Sequence, residues 1–233
     1  MYSVFYLLLL ILVFTLVLLF RKNKSVDKKS NILIVTRENR DLPFIDFHDS
    51  NIKQYCSKHG YKYKRFKSNC DLPIYWCKIS DLLANINNYD YVMWMDSDTH
   101  INDFNRRIEM MLKRDITIGH DDGQKIYNAG VFIVKNSTIG RNFLNDCMKY
   151  FKEHKESCVG SNGELKGSWS GMCYEQGVMN MFLKDKYKDY VHVTEEVSNS
   201  LSCKNNYFIT HLYQTSPEDR LKCMRSTKNY SQG

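Results

Sequence analysis

The stretch that decides the fold is Tyr91–His100, which reads YVMWMDSDTH. Its first five residues are apolar or aromatic, as is typical of a short strand buried on both faces of a parallel sheet. The strand ends directly in two acids, Asp96 and Asp98, separated by one residue. Because ligands of open α/β sheets collect at the carboxyl ends of strands, we expect a binding site here. The alternative is an ordinary acidic turn, since Asp-Ser-Asp is common in loops.

Outward from this strand, strand and helix patterns alternate along the chain. This order predicts an α/β domain with a mainly parallel central sheet. Further strands are expected over residues 31–36, 61–66, 115–119, 130–134 and 190–193. Helices are expected over residues 50–59, 75–86, 104–113, 137–154 and 174–183. The glycine-rich residues 155–172 are expected to form a loop, and the end of the domain, with residues 207–213, is expected to be irregular.

The amino terminus has the pattern of a membrane segment. The run Val4–Phe20 is interrupted only by Tyr6 and Thr15, and residues 1–20 would span about 30 Å as a helix, the thickness of a bilayer core. A cleaved signal peptide is the alternative, but no basic residue precedes the run and no small-residue cleavage site follows it. We therefore expect an N-terminal transmembrane helix over 1–20 (a signal anchor), a basic stem over 21–30 and one domain over 31–233.

Composition and charge exclude two classes of protein, disordered chains and nucleic-acid-binding domains. With 43% hydrophobic and 25% charged residues, the chain has the composition of a folded domain rather than a disordered one. The net charge is +7, of which residues 21–30 carry +4, so the domain is nearly neutral and nucleic acid is not an expected partner. The same basic residues favour a cytoplasmic position for the domain, by the positive-inside rule.

The two acids predict metal chemistry, because carboxylate oxygens suit Mg²⁺ or Mn²⁺ rather than zinc. Two enzyme classes place acids at such a strand end. In phosphohydrolases of the haloacid dehalogenase type, the first Asp is the nucleophile, but a Thr follows two residues after the second Asp and the strand is usually the first. Here Thr99 follows Asp98 immediately and the strand is the third. This order of elements is instead typical of a nucleotide-sugar glycosyltransferase.

Five segments resemble, in the same order, the GT-A-fold family of Golgi galactosyl-, xylosyl- and α-mannosyltransferases. They are Tyr55–Tyr61 (YCSKHGY), Trp76–His100, Asn128–Ser137 (NAGVFIVKNS), Glu175–Gly177 (EQG) and Thr210–Leu212 (THL). The resemblance implies a Rossmann-like GT-A fold and metal-dependent transfer of a hexose or pentose from a UDP- or GDP-sugar to a glycan acceptor, with retention. It also implies a catalytic domain in the Golgi or ER lumen, which we favour over the cytoplasmic face. A membrane-anchored sugar-binding protein without turnover is the other alternative.

The resemblance also implies roles for individual residues. Asp96, Asp98 and His211 would hold Mn²⁺ (or Mg²⁺), with Asp98 the closer carboxylate. Residues expected to contact the nucleotide sugar are Thr36, Arg37, Lys78, Asp96, Ser97, Asn128 and Gly130. Ordinary structural roles are the alternatives: a core histidine for His211 and a solvated helix charge for Lys78.

Other candidates surround the sugar. By the resemblance, Glu175 and Gln176 lie near the anomeric carbon, although family members more often have Asp at the first position. Asn128 offers both a donor and an acceptor for catalysis, and Gly130 admits close backbone approach, unless this segment is simply a turn. Asp121 and Asp122 are expected to bind acceptor hydroxyls, with a plain polar loop as the alternative.

One departure from the family lies after His211, where members have Gly-Cys and a phosphate-binding Lys. Here LYQTSPEDRLKC follows, and Lys222 and Cys223 are the expected substitutes. The eight cysteines permit a lumenal disulfide framework, and we expect buried thiols together with one or two bridges. Glycosylation sequons begin at Asn23, Asn136 and Asn229.

Overall fold

The computed structural model of the chain describes residues 30–121 and 125–227. The anchor predicted at residues 1–20 and nearly all of the stem lie outside this part, as do Asp122 and the sequons at Asn23 and Asn229. Among the helices that are described, none has both the length and the apolar character needed to cross a membrane.

The main sheet has six strands, and a smaller sheet has three. In chain order the strands are β1 Ile32–Arg37, β2 Lys62–Phe66, β3 Tyr91–Met95, β4 Thr99–Ile101, β5 Ile116–His120, β6 Tyr127–Lys135, β7 Val191–Val193, β8 Val197–Ser200 and β9 Ile209–Leu212. The main sheet runs β2-β1-β3-β6-β5-β7. Strand β6 is antiparallel to β3 and β5, and all other pairs are parallel. The mainly parallel sheet predicted from the sequence is confirmed, with one reversed strand at its centre.

The described residues contain five α-helices: α1 Ile45–His59, α2 Ile74–Asn85, α3 Thr138–Cys158, α4 Glu175–Lys184 and, after the last strand, α5 Pro217–Arg225. The ends of these helices are set by residues that stop or cap a helix. Helix α1 stops at Gly60, which adopts the left-handed conformation with φ 71°. Helix α3 begins where the Ser137 hydroxyl accepts a hydrogen bond from the backbone N–H of Gly140.

The prediction of a helix over residues 104–113 is wrong, because the structure has only a 3₁₀ turn there, Ile108–Met111. The Asp103 carboxylate accepts a hydrogen bond from the backbone N–H of Asn105, and Arg107 has extended dihedral angles. A short polar side chain that bonds to its own backbone competes with helix formation.

Apolar side chains cover both faces of the main sheet, which explains the continuous hydrophobic strand at its centre. In β3, Val92 and Trp94 point into the core beneath α2, α3 and α4, while Met93 and Met95 point into a second core beneath α1. Each fully buried side chain of this size stabilises the fold by roughly 1.5–3 kcal/mol. The end of β3 is thereby fixed in position.

The small sheet, with order β4-β9-β8, was not predicted. Its strands have only three or four residues each, too few for alternation to be visible in the sequence. Strand β4 pairs antiparallel with β9, and Thr99 lies opposite His211. This pairing brings the C-terminal part of the chain beside the acids that follow β3.

Three disulfides are present in the described residues, more than the one or two expected: Cys70–Cys77, Cys158–Cys173 and Cys203–Cys223. The first ties the loop before α2 to that helix, directly next to Lys78. The second joins the end of α3 to the loop before α4. Cys56 and Cys147 are buried free thiols, and burial raises the pKa of both.

Candidate active site

Asp96, Asp98 and His211 form a candidate metal centre at the carboxyl end of β3. One potential ligand atom from each residue lies within 4.8 Å of the others. The Nε2 atom of His211 is 3.3 Å from Asp98 Oδ1 and 3.9 Å from Asp96 Oδ2. The two acids follow β3, and the histidine comes from β9 on the small sheet. The three side chains expected to share one ion are therefore brought together.

A hydrogen bond fixes how His211 faces the two acids. Its Nδ1 atom lies 2.9 Å from Oδ1 of Asn199, and the Asn199 amide nitrogen donates to the carbonyl of His120 at 2.8 Å. Since the amide oxygen of Asn199 can only accept, the proton of the neutral ring is on Nδ1. The lone pair of Nε2 is then directed at the carboxylates, as a metal ligand requires.

The electrostatics of this group also suit a cation. Burial alone would lower the pKa of His211, but the carboxylates of Asp98 and Asp96 outweigh burial and raise it. Burial would raise the pKa of Asp98, yet His211 and Arg220 hold it below its usual value. Two carboxylate oxygens and one imidazole nitrogen are a donor set that suits Mn²⁺ or Mg²⁺. The residues present therefore fit a divalent ion, which would take the place of the imidazole proton.

Lys78 is buried beside the metal centre and is not a solvated helix charge. Its Nζ atom lies 2.9 Å from Glu175 Oε1, 3.1 Å from the carbonyl of Ala129 and 3.3 Å from Asp96 Oδ1. Burial would lower the pKa of Lys78, but the carboxylates of Asp96 and Glu175 raise it above its ordinary value. For Glu175, burial raises the pKa and the lysine offsets this only in part. The lysine stays charged and holds both acids in place.

The metal centre stands between two cavities of one cleft. The first cavity has a volume of about 420 Å³ and the second about 290 Å³, and Tyr75, Lys78, Asp96 and Asp98 line both. The first is also lined by Arg37, Arg40, Ser97 and Arg220, and the second by Asn128, Gly130, Trp169, Glu175, Gln176 and His211. A ligand that occupies both cavities must pass the metal centre.

The residues expected to bind the nucleotide differ in whether their side chains reach the first cavity. Arg37 lines the first cavity, but its guanidinium makes two 2.8 Å hydrogen bonds to the Asp81 carboxylate. Ser97 also lines it and donates to Glu38 at 2.8 Å. The Thr36 side chain is fully buried and donates to the carbonyl of Met95 at 2.8 Å, so it does not reach the cleft. The nucleotide-binding roles stay predictions.

The floor of the second cavity contains polar atoms that lack partners. Gln176 Oε1 accepts from the N–H of Ala129 at 2.8 Å, but Gln176 Nε2 has no hydrogen-bond partner in the described structure, and neither does Glu175 Oε2. Both atoms are buried. Asn128 is already engaged, since its Oδ1 accepts from the N–H of Gly130 at 2.7 Å. Buried polar atoms without partners are uncommon in folded proteins and suit a site that receives polar ligand groups.

Of the two residues expected to bind the acceptor, only Asp121 is described, and it is not at the surface of the cleft. Asp121 is buried and accepts a 2.5 Å hydrogen bond from the Asn128 amide. It lines neither cavity, and Asp122 lies outside the described residues. Asp121 instead orients Asn128, and the acceptor role of both acids stays a prediction.

Arg220, on α5, was missed by the sequence reasoning. Its Nη2 atom lies 3.0 Å from Asp98 Oδ2, its Nε donates to the carbonyl of Leu212 at 3.0 Å, and it lines the first cavity. The expected substitutes lie elsewhere: Cys223 forms the disulfide with Cys203, and Lys222 lines a separate cavity. The only sequence signal for Arg220 was the departure from the family pattern after His211.

Solved structures with a similar fold are glycosyltransferases, and they support a GT-A fold for this chain. No protein-family model and no curated protein matches the sequence. Among solved structures, a glycosyltransferase involved in glycosylation of the major capsid of PBCV-1 matches with a TM-score of 0.63 and 16% identity, over 84% of this chain and 98% of that one.

Two further glycosyltransferases share the fold. The apo form of GlyE from Streptococcus pneumoniae TIGR4 has a TM-score of 0.50 and 13% identity, over 84% of this chain and 60% of its own. The apo form of the bifunctional WbbM has a TM-score of 0.51 and 9% identity, over 88% of this chain and 51% of its own. At these identities the likeness establishes the fold, and the specific Golgi family stays a prediction.

Proposed function

We propose that the protein is a metal-dependent glycosyltransferase that moves a hexose or pentose from a UDP- or GDP-sugar to a glycan acceptor, with retention of configuration. The observation that carries this proposal is the position of Asp96, Asp98 and His211 between the two cavities of one cleft, in a GT-A fold. A nucleotide in one cavity and its sugar in the other would place the joining diphosphate at the metal centre.

The first cavity suits the nucleotide and its phosphates. Arg37, Arg40 and Arg220 line it, and Arg220 lies beside Asp98. A guanidinium group binds phosphate oxygens through paired hydrogen bonds, so we assign the phosphate-binding role to Arg220 instead of Lys222. When bound, a divalent ion supplies Lewis-acid stabilisation of the leaving diphosphate.

The second cavity suits the sugar. Gln176 Nε2 and Glu175 Oε2 are free to bind hydroxyl groups, and Lys78 holds the Glu175 side chain at the floor. Apart from Asp96 and Asp98, Glu175 is the one carboxylate among the described residues lining this cavity. Because it is paired with Lys78, it is poorly placed as the free base that an inverting reaction needs. This supports retention.

The test is a panel of nucleotide sugars offered to the purified protein with Mn²⁺, scored for release of UDP or GDP. We expect turnover with at least one donor, and its loss in Asp98→Ala with the fold intact. Glu153→Ala, which removes an exposed carboxylate on α3, is the matched control. Hydrolysis of p-nitrophenyl phosphate without use of any nucleotide sugar would instead identify a phosphohydrolase, and sugar binding without turnover a binding protein.

We further propose that residues 1–20 anchor the chain in a membrane as a helix and that the domain lies in the secretory lumen. The three disulfides support an oxidising compartment. In denaturant without reductant, we expect two of the eight cysteines, Cys56 and Cys147, to be alkylated. A glycan on Asn136 that is removed by Asn136→Gln would agree. Alkylation of all eight cysteines and no glycan would place the domain in the cytoplasm.

A further inference from the structure

Trp169 is a partly exposed aromatic side chain at the second cavity. It lies in the loop between α3 and α4, residues 159–174, and lines the cavity together with Tyr75 and Tyr213. Its side chain is 38% exposed, whereas Trp76 and Trp94, the other two tryptophans of the chain, are buried. Within the described residues, Trp169 makes no hydrogen bond and no aromatic contact. A large, partly exposed aromatic ring that lines a cavity suits ligand binding.

The loop that carries Trp169 is fixed to the body of the protein. The Cys158–Cys173 disulfide closes it, and the indole N–H of Trp76 donates to the carbonyl of Cys173 at 2.9 Å. The loop also packs tightly on the start of α4, since a Cβ atom on Gly177 would lie 2.1 Å from the carbonyl oxygen of Gly171. Trp169 is therefore held at the cavity from both ends of its loop.

The chemistry around Trp169 fits a sugar ring. A pyranose presents C–H groups on its faces and hydroxyls around its rim. Trp169 offers an aromatic face for the C–H groups, and Tyr75 and Tyr213 line the same cavity. Trp169 lines the second cavity but not the first, so it lies on the side away from the proposed nucleotide.

We propose that Trp169 forms the acceptor subsite, where a pyranose ring of the acceptor stacks on the indole. This inference rests on the proposed transfer reaction. It places the acceptor beside Trp169 in the second cavity, and not at Asp121. The acceptor class is then a glycan end that presents the face of a pyranose ring, rather than a protein side chain.

The test compares Trp169→Ala and Trp169→Phe with a matched control, Tyr190→Ala. Tyr190 is similarly exposed, at 40%, and lies outside both cavities. We expect Trp169→Ala to raise the KM for the acceptor about tenfold, and Trp169→Phe to restore most of the loss. Tyr190→Ala should leave both the acceptor KM and donor hydrolysis without acceptor within about twofold of wild type. An unchanged acceptor KM, or a raised donor KM, would overturn the proposal.

A binding measurement tests the same point without turnover. With UDP and Mn²⁺ present, the methyl pyranosides of galactose, mannose, glucose and xylose are titrated while tryptophan fluorescence is recorded. We expect at least one to change the emission of wild type but not of Trp169→Phe. No response to any of them, in a protein that hydrolyses a donor, would overturn the acceptor subsite. A wild-type protein that neither binds nor hydrolyses any nucleotide sugar would instead overturn the proposed function.

Discussion

A Cβ atom on Gly130 would lie 2.1 Å from Cε1 of His211. The imidazole ring of His211 packs directly on the backbone of β6, and no side chain fits between the two. Glycine is required here by space and not by an unusual backbone angle. The position of His211 over the acids therefore depends on a residue that makes no bond to a metal.

The first prediction concerns this contact. Gly130→Ala should displace His211 and reduce Mn²⁺ affinity by about tenfold or more, since loss of a ligand's support costs 10–100-fold in other sites. Overpacking should also lower the free energy of unfolding by about 1–3 kcal/mol. Calorimetric Mn²⁺ titration and urea denaturation check both effects. Gly160→Ala, which lies outside both cavities, is the control, and equal Mn²⁺ affinity in the two variants would contradict the contact.

The second prediction concerns the hydrogen bond that the His211 Nδ1–H donates to Asn199 Oδ1. Asn199→Ala should weaken Mn²⁺ binding about 10–100-fold, because the ring loses the group that fixes its tautomer. His211→Ala should weaken Mn²⁺ and nucleotide binding together, since one ion would connect both. Titration calorimetry with UDP, with and without Mn²⁺, separates the two effects. Asn87→Ala on the surface should change neither, and normal nucleotide affinity in His211→Ala would return this histidine to a structural role.

The third prediction distinguishes two cations on α5. Arg220→Ala should raise the donor KM by about 10-fold or more, because a charge-assisted hydrogen bond contributes roughly 1.5–3 kcal/mol. Arg220→Lys should recover part of the loss. Lys222→Ala is the matched control and should behave as wild type, since Lys222 lines a different cavity. If Lys222→Ala impaired donor binding and Arg220→Ala did not, the phosphate site would lie where the sequence pattern first suggested.

The fourth prediction concerns acid sensitivity from two buried histidines. Burial lowers the pKa of His48 below its ordinary value of 6.5, and burial lowers that of His100 to about 4. The unfolded chain then binds more protons than the folded one below pH 6.5. Stability should be full above pH 6.5 and fall as the pH is lowered towards 4, by up to about 3 kcal/mol for His100.

Urea denaturation between pH 7.5 and 4.5 measures this slope. His48→Asn and His100→Asn should each flatten it, even if they lower stability at neutral pH. His154→Asn, at an exposed position on α3, should leave the slope as in wild type. A slope that both buried variants retain would show that other groups cause the acid sensitivity.

The sequence predicted the parts of the structure that depend on local pattern. Strand β3 was predicted with its observed ends, because an apolar run followed by acids is unambiguous. The metal centre was predicted through a resemblance that included both acids and His211. The small sheet was not predicted from the sequence, because β4 and β9 gain their stability from pairing with each other across a long stretch of chain. Arg220 was missed for the same reason: its place beside Asp98 is set by how α5 packs, and its neighbours in sequence do not reveal it.

The β4–β9 pairing has a consequence for the order in which the protein matures. Asp96 and Asp98 are made early during synthesis, but His211 emerges from the ribosome only when nearly the whole domain has been made. The core beneath α1 also contains Val197, Phe208 and Ile209, so a nascent chain that ends at β7 lacks part of this core as well as the third candidate ligand. The last part of the core and the capacity to hold a metal ion would therefore be completed together.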